Sequence, residues 1–161
     1  MELPVRKPNR LKNYDYSSSN YYFVTICTHS GNCIFGMDDK LTLYGSIARD
    51  ELLNIPSHFT GVSIEKFIIM PNHIHIVISI GCNDLQCGVK LPDLSTVIGL
   101  YKSGVSKRIH QYNPKLKVWQ KSYNDKIIRN EHAFFEICNY IEHNPMRWVE
   151  KYGTNVIPDI K

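Results

Sequence analysis

Between Met70 and Ile80 the chain reads Met-Pro-Asn-His-Ile-His-Ile-Val-Ile-Ser-Ile, and no other stretch restricts the fold as much. Isoleucine recurs at 74, 76, 78 and 80, the two-residue period of a β-strand, so these side chains share one face. That face must be covered to leave water. The opposite face carries His73, His75, Val77 and Ser79, which sets two imidazoles side by side. Both can then reach a single metal ion or a single phosphate. The ordinary alternative is a packed or surface histidine with a satisfied hydrogen bond, and on this stretch alone both readings stay open.

A chain of 161 residues reads as one domain with room for a real core. Its 43% hydrophobic and 21% charged content is ordinary for a soluble globular protein. The five cysteines form no CxxC pair, and Cys82 and Cys87 lack a second pair to complete a zinc knuckle. Free thiols fit a reducing cytoplasm. The first residues contain prolines and charges but no apolar signal-peptide core, and no apolar run approaches a membrane span. The expectation is a cytoplasmic, soluble protein. A net charge of +4 inclines it toward polyanions. Ten tyrosines with Trp119 and Trp148 offer surfaces for base stacking, although half-buried strand positions account for most of the tyrosines.

Residues 1–20, basic at Arg6, Lys7, Arg10 and Lys12, read as an arm and loop. Residues 21–28 are dense in β-branched and aromatic side chains, so they predict a strand. A helix follows over 43–55, closed by Pro56. Residues 62–70 form a second strand that turns through Pro71-Asn72 into the histidine strand. Asp93 is placed to cap a helix whose stripe is Leu94, Val97, Ile98, Tyr101, Val105 and Ile109. Residues 117–128 supply a fourth strand, and a last helix runs from Glu131 to about His143. The order βαββαβα predicts an α+β domain, a ferredoxin-like four-stranded antiparallel sheet with helices. The domain spans 1–161, with its core over 21–149 and a tail over 150–161.

On the last helix Phe134, Ile137 and Ile141 make the apolar face, with Tyr140 and Asn144 neighbours one turn apart at its edge. Pro145 disfavours helical geometry at Asn144, so the helix is expected to end there. Tyr140 can be a rim tyrosine or a residue that reaches the sheet.

Taken together, His73-Ile-His75 after Met-Pro-Asn, Tyr140-Ile-Glu-His-Asn-Pro145 and Trp148 resemble the single-tyrosine HUH transposases of the insertion-sequence type. Within that family the chain resembles the REP-associated tyrosine transposases. Tyr14-Asp-Tyr16, Phe23-Val-Thr25, Phe35-Gly36, Lys102-Ser103, Trp119-Gln120 and Asp125 to Arg129 extend the likeness over residues 10–149.

The resemblance implies metal-dependent cleavage and rejoining of single-stranded DNA at palindromic hairpins, through a 5′-phosphotyrosine intermediate. It assigns Tyr140 as nucleophile and His73, His75 and Asn144 as ligands of Mg²⁺ or Mn²⁺. Asn144 departs from insertion-sequence relatives, which commonly carry a longer glutamine there. Arg10, Lys12, Lys102, Lys107, Arg108, Lys121 and Arg129 become candidate DNA-backbone contacts. Trp119 and Tyr123 become candidate stacking residues, with core or edge packing as the alternative. The implied partner is hairpin DNA, met as a monomer or homodimer in the cytoplasm, associated with the nucleoid. A non-catalytic hairpin-binding protein on the same fold, and an unrelated metallohydrolase with water as nucleophile, are the competing readings.

Overall fold

A computed structural model of the chain describes residues 20–37, 40–82 and 90–153. Arg10, Lys12 and Cys87 lie outside them. In chain order the elements are β1 (Asn20–Cys27), a ribbon of β2 (Gly36–Met37) and β3 (Lys40–Leu41), α1 (Leu43–Leu53) and α2 (Ile55–His58). After these come β4 (Val62–Met70), β5 (His73–Ile80), α3 (Leu94–Ile109), β6 (Asn124–Ile128) and α4 (Glu131–Tyr152).

Four strands form an antiparallel sheet in the order β4-β5-β1-β6, so the histidine strand is internal. Its register on β1 sets Ile74 opposite Ile26, Ile76 opposite Val24 and Ile78 opposite Tyr22. All six side chains are fully buried, and α1 and α3 cover them with Ile47, Leu52, Val97, Ile98 and Val105. Each such side chain contributes about 1.5–3 kcal/mol on burial, which holds this layer together. Helix α3 begins where expected, with the Asp93 carboxylate accepting from the Ser95 amide at 2.6 Å.

Among the described residues, the other face of the sheet is covered by α4, through a smaller cluster of Val77, Ile128, Ile141, Phe23, Phe134 and Ile137. Lys66 on β4 forms an ion pair with Glu142 on α4, which ties the helix to the edge of the sheet. The α+β architecture expected from the element order is therefore present, with the short ribbon and α2 added.

Three local expectations change. Pro56 does not close α1, which already ends at Leu53; it sits in the first turn of α2, where its missing N–H has no helical partner to lose. The fourth strand is confined to Asn124–Ile128. Upstream, the carbonyls of Gln120 and Ser122 both accept from Lys102 Nζ at 2.9 Å, and Ser122 has a positive φ of 72°, so this backbone leaves the ladder. Helix α4 does not stop at Asn144: it passes through Pro145 to Tyr152. The proline forfeits one hydrogen bond, to the Ile141 carbonyl, at a cost of about 3 kcal/mol. Continuing the helix offsets that loss by burying Trp148 to 9% exposure against the sheet.

Candidate active site

Sheet register builds one half of the site. His73 lies opposite Cys27, and His75 opposite Thr25, on the face that α4 covers. The two imidazole rings are 4.7 Å apart between centroids. Each has a hydrogen bond at Nδ1. Asn72 Oδ1 is 2.8 Å from His73 Nδ1, and the same amide's Nδ2 donates to the Gly31 carbonyl, which turns its oxygen toward the imidazole. His73 therefore carries its proton on Nδ1 and keeps a lone pair on Nε2. Thr25 Oγ1 lies 2.9 Å from His75 Nδ1, and His75 Nε2 is buried with no hydrogen-bond partner among the described residues. A hydroxyl that accepts the Nδ1 proton leaves this nitrogen, too, with a free lone pair.

Burial disfavours the charged form of both rings. It holds His73 down to about 4, and burial together with the neighbouring His73 takes His75 down to about 3. Near neutral pH both are uncharged imidazoles, the form that binds metals.

Helix α4 supplies the other half. Tyr140, Asn144 and Trp148 follow at four-residue spacing, so they line one side of the helix. The Tyr140 ring stands edge-on to His75 at 5.4 Å and to Phe23 at 6.2 Å. Trp148 reaches His73 at 6.0 Å. Asn144, one turn from each, is buried, and among the described residues neither its Nδ2 nor Trp148 Nε1 has a hydrogen-bond partner. Three buried polar atoms without partners thus meet between one strand pair and one helix. Each would cost about 1–3 kcal/mol if nothing ever satisfied it. Tyr140 itself is 39% exposed, with the Arg147 guanidinium 5.3 Å from its ring centre.

This donor set fits a divalent cation. Two imidazole nitrogens and a carboxamide are neutral ligands suited to Mn²⁺ and tolerable to Mg²⁺, and they leave positions open. Among the described residues no three His, Cys, Asp or Glu side chains gather into a metal cluster. His73, His75 and Asn144 would leave positions for other ligands around a cation.

The other sequence candidates are dispersed. Lys102 spends its ammonium on the Gln120 and Ser122 carbonyls, and Arg108 pairs with Glu51 at 3.0 Å, both on α3 behind the isoleucine layer. Lys107 is on the same helix. Trp119 donates to the Lys102 carbonyl at 3.0 Å and packs on Phe35, and Tyr123 is a buried member of the main core. Packing, the alternative given for both aromatics, accounts for them. Lys121 is exposed in the turn before β6, and Arg129 is exposed just after it.

Sequence reasoning missed Thr25 and Asn72 as orienting partners of the histidines. It also missed Arg147, and Lys126, which is exposed on β6 opposite Phe23. Lys126 was findable only through register. The strand preceding Pro71 could have suggested Asn72, since a turn amide beside a histidine is a common hydrogen-bond pair.

A family model described as "Transposase IS200 like" matches residues 16–144. Two Haemophilus influenzae proteins are similar along most of their length. One, uncharacterised, is 35% identical over 161 aligned residues and 89% of either chain. The other, provisionally named a REP-associated tyrosine transposase, is 23% identical over 85% of this chain and 77% of its own. Among solved structures, a REP-associated tyrosine transposase bound to a REP hairpin superposes with a TM-score of 0.61 at 17% identity, covering 90% of this chain and 75% of that one. A Deinococcus radiodurans protein provisionally named a transposase superposes with a TM-score of 0.52 at 18% identity, over 83% of this chain and 97% of that one. At these identities the two structures speak for the fold.

Proposed function

The chain belongs to the IS200-like transposase family, and from that membership and the geometry around Tyr140 we propose that it cuts and rejoins single-stranded DNA beside palindromic hairpins. A transposase-type role follows from the family; the chemistry is our reading. The observation that carries it is the meeting of an exposed phenol with two neutral imidazoles, His75 buried and His73 half-buried, with Tyr140 against His75 at 5.4 Å.

His73 and His75, through Nε2, and Asn144, through its side-chain oxygen, would hold a divalent cation, Mn²⁺ or Mg²⁺. When bound, that cation supplies polarisation of the scissile phosphate, whose negative oxygens otherwise repel a nucleophile. Thr25 and Asn72 fix the imidazole tautomers so that the lone pairs face the site. Tyr140 Oη attacks phosphorus. The new bond joins Oη to phosphorus, the bond to the 3′ oxygen breaks, and the phenolic proton departs to solvent. The leaving 3′ oxygen takes up a proton, giving a free 3′-hydroxyl and a 5′-phosphotyrosine link. Attack of a 3′-hydroxyl on that link reverses the step and rejoins a strand. In-line attack requires an unpaired strand at the cut, which is why a single strand beside a hairpin suits the site. Such a protein works in the cytoplasm, at the nucleoid.

The test is incubation with single-stranded hairpin oligonucleotides and Mn²⁺ or Mg²⁺, read on a denaturing gel. The expected product is a metal-dependent, slowly migrating protein–DNA adduct. Cleavage without an adduct would replace Tyr140 by water as nucleophile. Hairpin binding without cleavage would favour a non-catalytic DNA reader.

A further inference from the structure

We propose that a cleft at the N-terminal end of α4 holds an unpaired DNA base bearing an exocyclic amino group, drawn from the strand that Tyr140 attacks. The role of that strand rests on the reading above; the cleft is built from other residues.

The cleft measures about 510 Å³ and is lined by Tyr21, Glu65, Arg129, Glu131, Phe134 and Phe135, among others. It opens on the same sheet face as the histidines, because Tyr21 alternates with Phe23 and Thr25 along β1. The Tyr21 and Phe134 rings meet edge to face at 5.6 Å, and Phe134 and Phe135 at 5.9 Å. Phe135 is 56% exposed, an aromatic surface that the fold itself does not use. Aromatic walls stack a base irrespective of its identity.

The polar lining selects the ligand. Glu65 and Glu131 bring two carboxylates to the cleft and Arg129 one guanidinium, so a phosphate is not the group that enters. Carboxylates instead accept from exocyclic amines, as they do from cytosine N4. Thymine lacks such an amine. Arg129 makes no ion pair within the described residues, which leaves it for the phosphate at the rim.

A path joins the cleft to the nucleophile. Lys126 on the outer strand lies opposite Phe23, the ring 6.2 Å from Tyr140, and it too has no acidic partner among the described residues. Lys126 on β6 and Arg129, one residue past its end, are at most about 10 Å apart along the chain at ~3.3 Å per residue. Phe134 and Tyr140 are about 9 Å apart along α4 at 1.5 Å per residue. About three nucleotides cover that distance at the ~3.4 Å rise of a stacked strand, and fewer where the strand is splayed. A strand laid between α4 and β6 would rest its phosphates on the two cations, with one base turned into the cleft.

The test uses the full chain as Tyr140→Phe, which prevents turnover, bound to hairpin strands carrying 5-iodo-2′-deoxycytidine at successive positions. After irradiation, crosslinked peptides are mapped by mass spectrometry. One position within about three nucleotides of the cut should crosslink to Tyr21, Phe134 or Phe135. Its yield should fall about fivefold or more in Phe135→Ala, a surface change that leaves the core intact, and in Arg129→Ala. Glu131→Gln should reduce, and Glu65→Gln with Glu131→Gln should erase, the preference for cytosine over thymine at that position. Crosslinks confined to other residues, or no crosslink in a bound complex, would overturn the proposal. The adduct assay on the unsubstituted protein is independent: an adduct without a cleft crosslink sinks the cleft alone, and a cleft crosslink without an adduct sinks the nuclease reading alone.

Discussion

The two faces of the sheet are made by the same strands and do opposite things. On the isoleucine face, α1 and α3 bury a continuous apolar layer, and the buried Tyr101 Oη donates to the Ala48 carbonyl at 2.9 Å. On the histidine face, among the described residues, α4 covers a thin cluster and His75 Nε2, Asn144 Nδ2 and Trp148 Nε1 have no hydrogen-bond partners. One face is closed to maximise stability. The other keeps polar atoms unsatisfied where a ligand would satisfy them, a cost that stability elsewhere in the molecule must carry.

The sharpest way to test that contrast is at its chemical centre. Tyr140→Phe removes only an oxygen from a ring that keeps its packing. The covalent adduct should disappear, with cleavage reduced by roughly a thousandfold or more, while hairpin affinity is unchanged in a gel-shift titration. Retained cutting at the same position would show that the faces do not divide the labour as described.

Ile76→Ala is the counterpart on the closed face. Chemical denaturation should register a loss of about 2–5 kcal/mol from the cavity left behind, with adduct formation per folded molecule unaltered. A selective loss of cleavage would mean that the isoleucine layer shapes the site more directly than its position implies.

Thr25→Val is intermediate, since it keeps shape and removes the Nδ1 partner of His75. Mn²⁺ affinity, measured by calorimetry, should weaken about 10–100-fold with little change in melting temperature. Equal affinity in both proteins would remove Thr25 from the site.

The pH dependence of the metal-free protein tests the histidine face without DNA. In the unfolded chain both histidines titrate near 6.5, while in the fold burial holds them near 4 and 3. The unfolded state therefore takes up protons first as pH falls. Stability should decline between pH 6.5 and about 4, then flatten as the folded pair titrates. His73→Gln with His75→Gln should remove that slope, and urea melts across the range would reveal it. An unchanged slope would assign it to other groups.

The histidine pair was legible because two-residue alternation is imposed by strand geometry, and the isoleucines left no doubt which face it occupied. The apolar stripe of Phe134, Ile137 and Ile141 likewise marked how α4 would sit. Helix length past Pro145 was not legible: local propensity argues for a stop there, and only the burial of Trp148 across the sheet outweighs it. Lys102 and Arg108 looked available for DNA for the same reason. Their partners, Gln120, Ser122 and Glu51, are distant in sequence and unidentifiable without the fold.

By itself, then, the sequence determined the strand and helix periods, the face each histidine occupies and the amphipathic face of the tyrosine helix. These depend on the covalent geometry of a few neighbouring residues. Tertiary structure alone decided that Tyr140 stands at His75 and Trp148 at His73, that Thr25 and Asn72 orient the two rings, and that Lys126 and Arg129 lead toward an aromatic cleft. Those relations join residues on separate elements, and they depend on strand register and on the seat of one helix against a sheet, which no local period encodes.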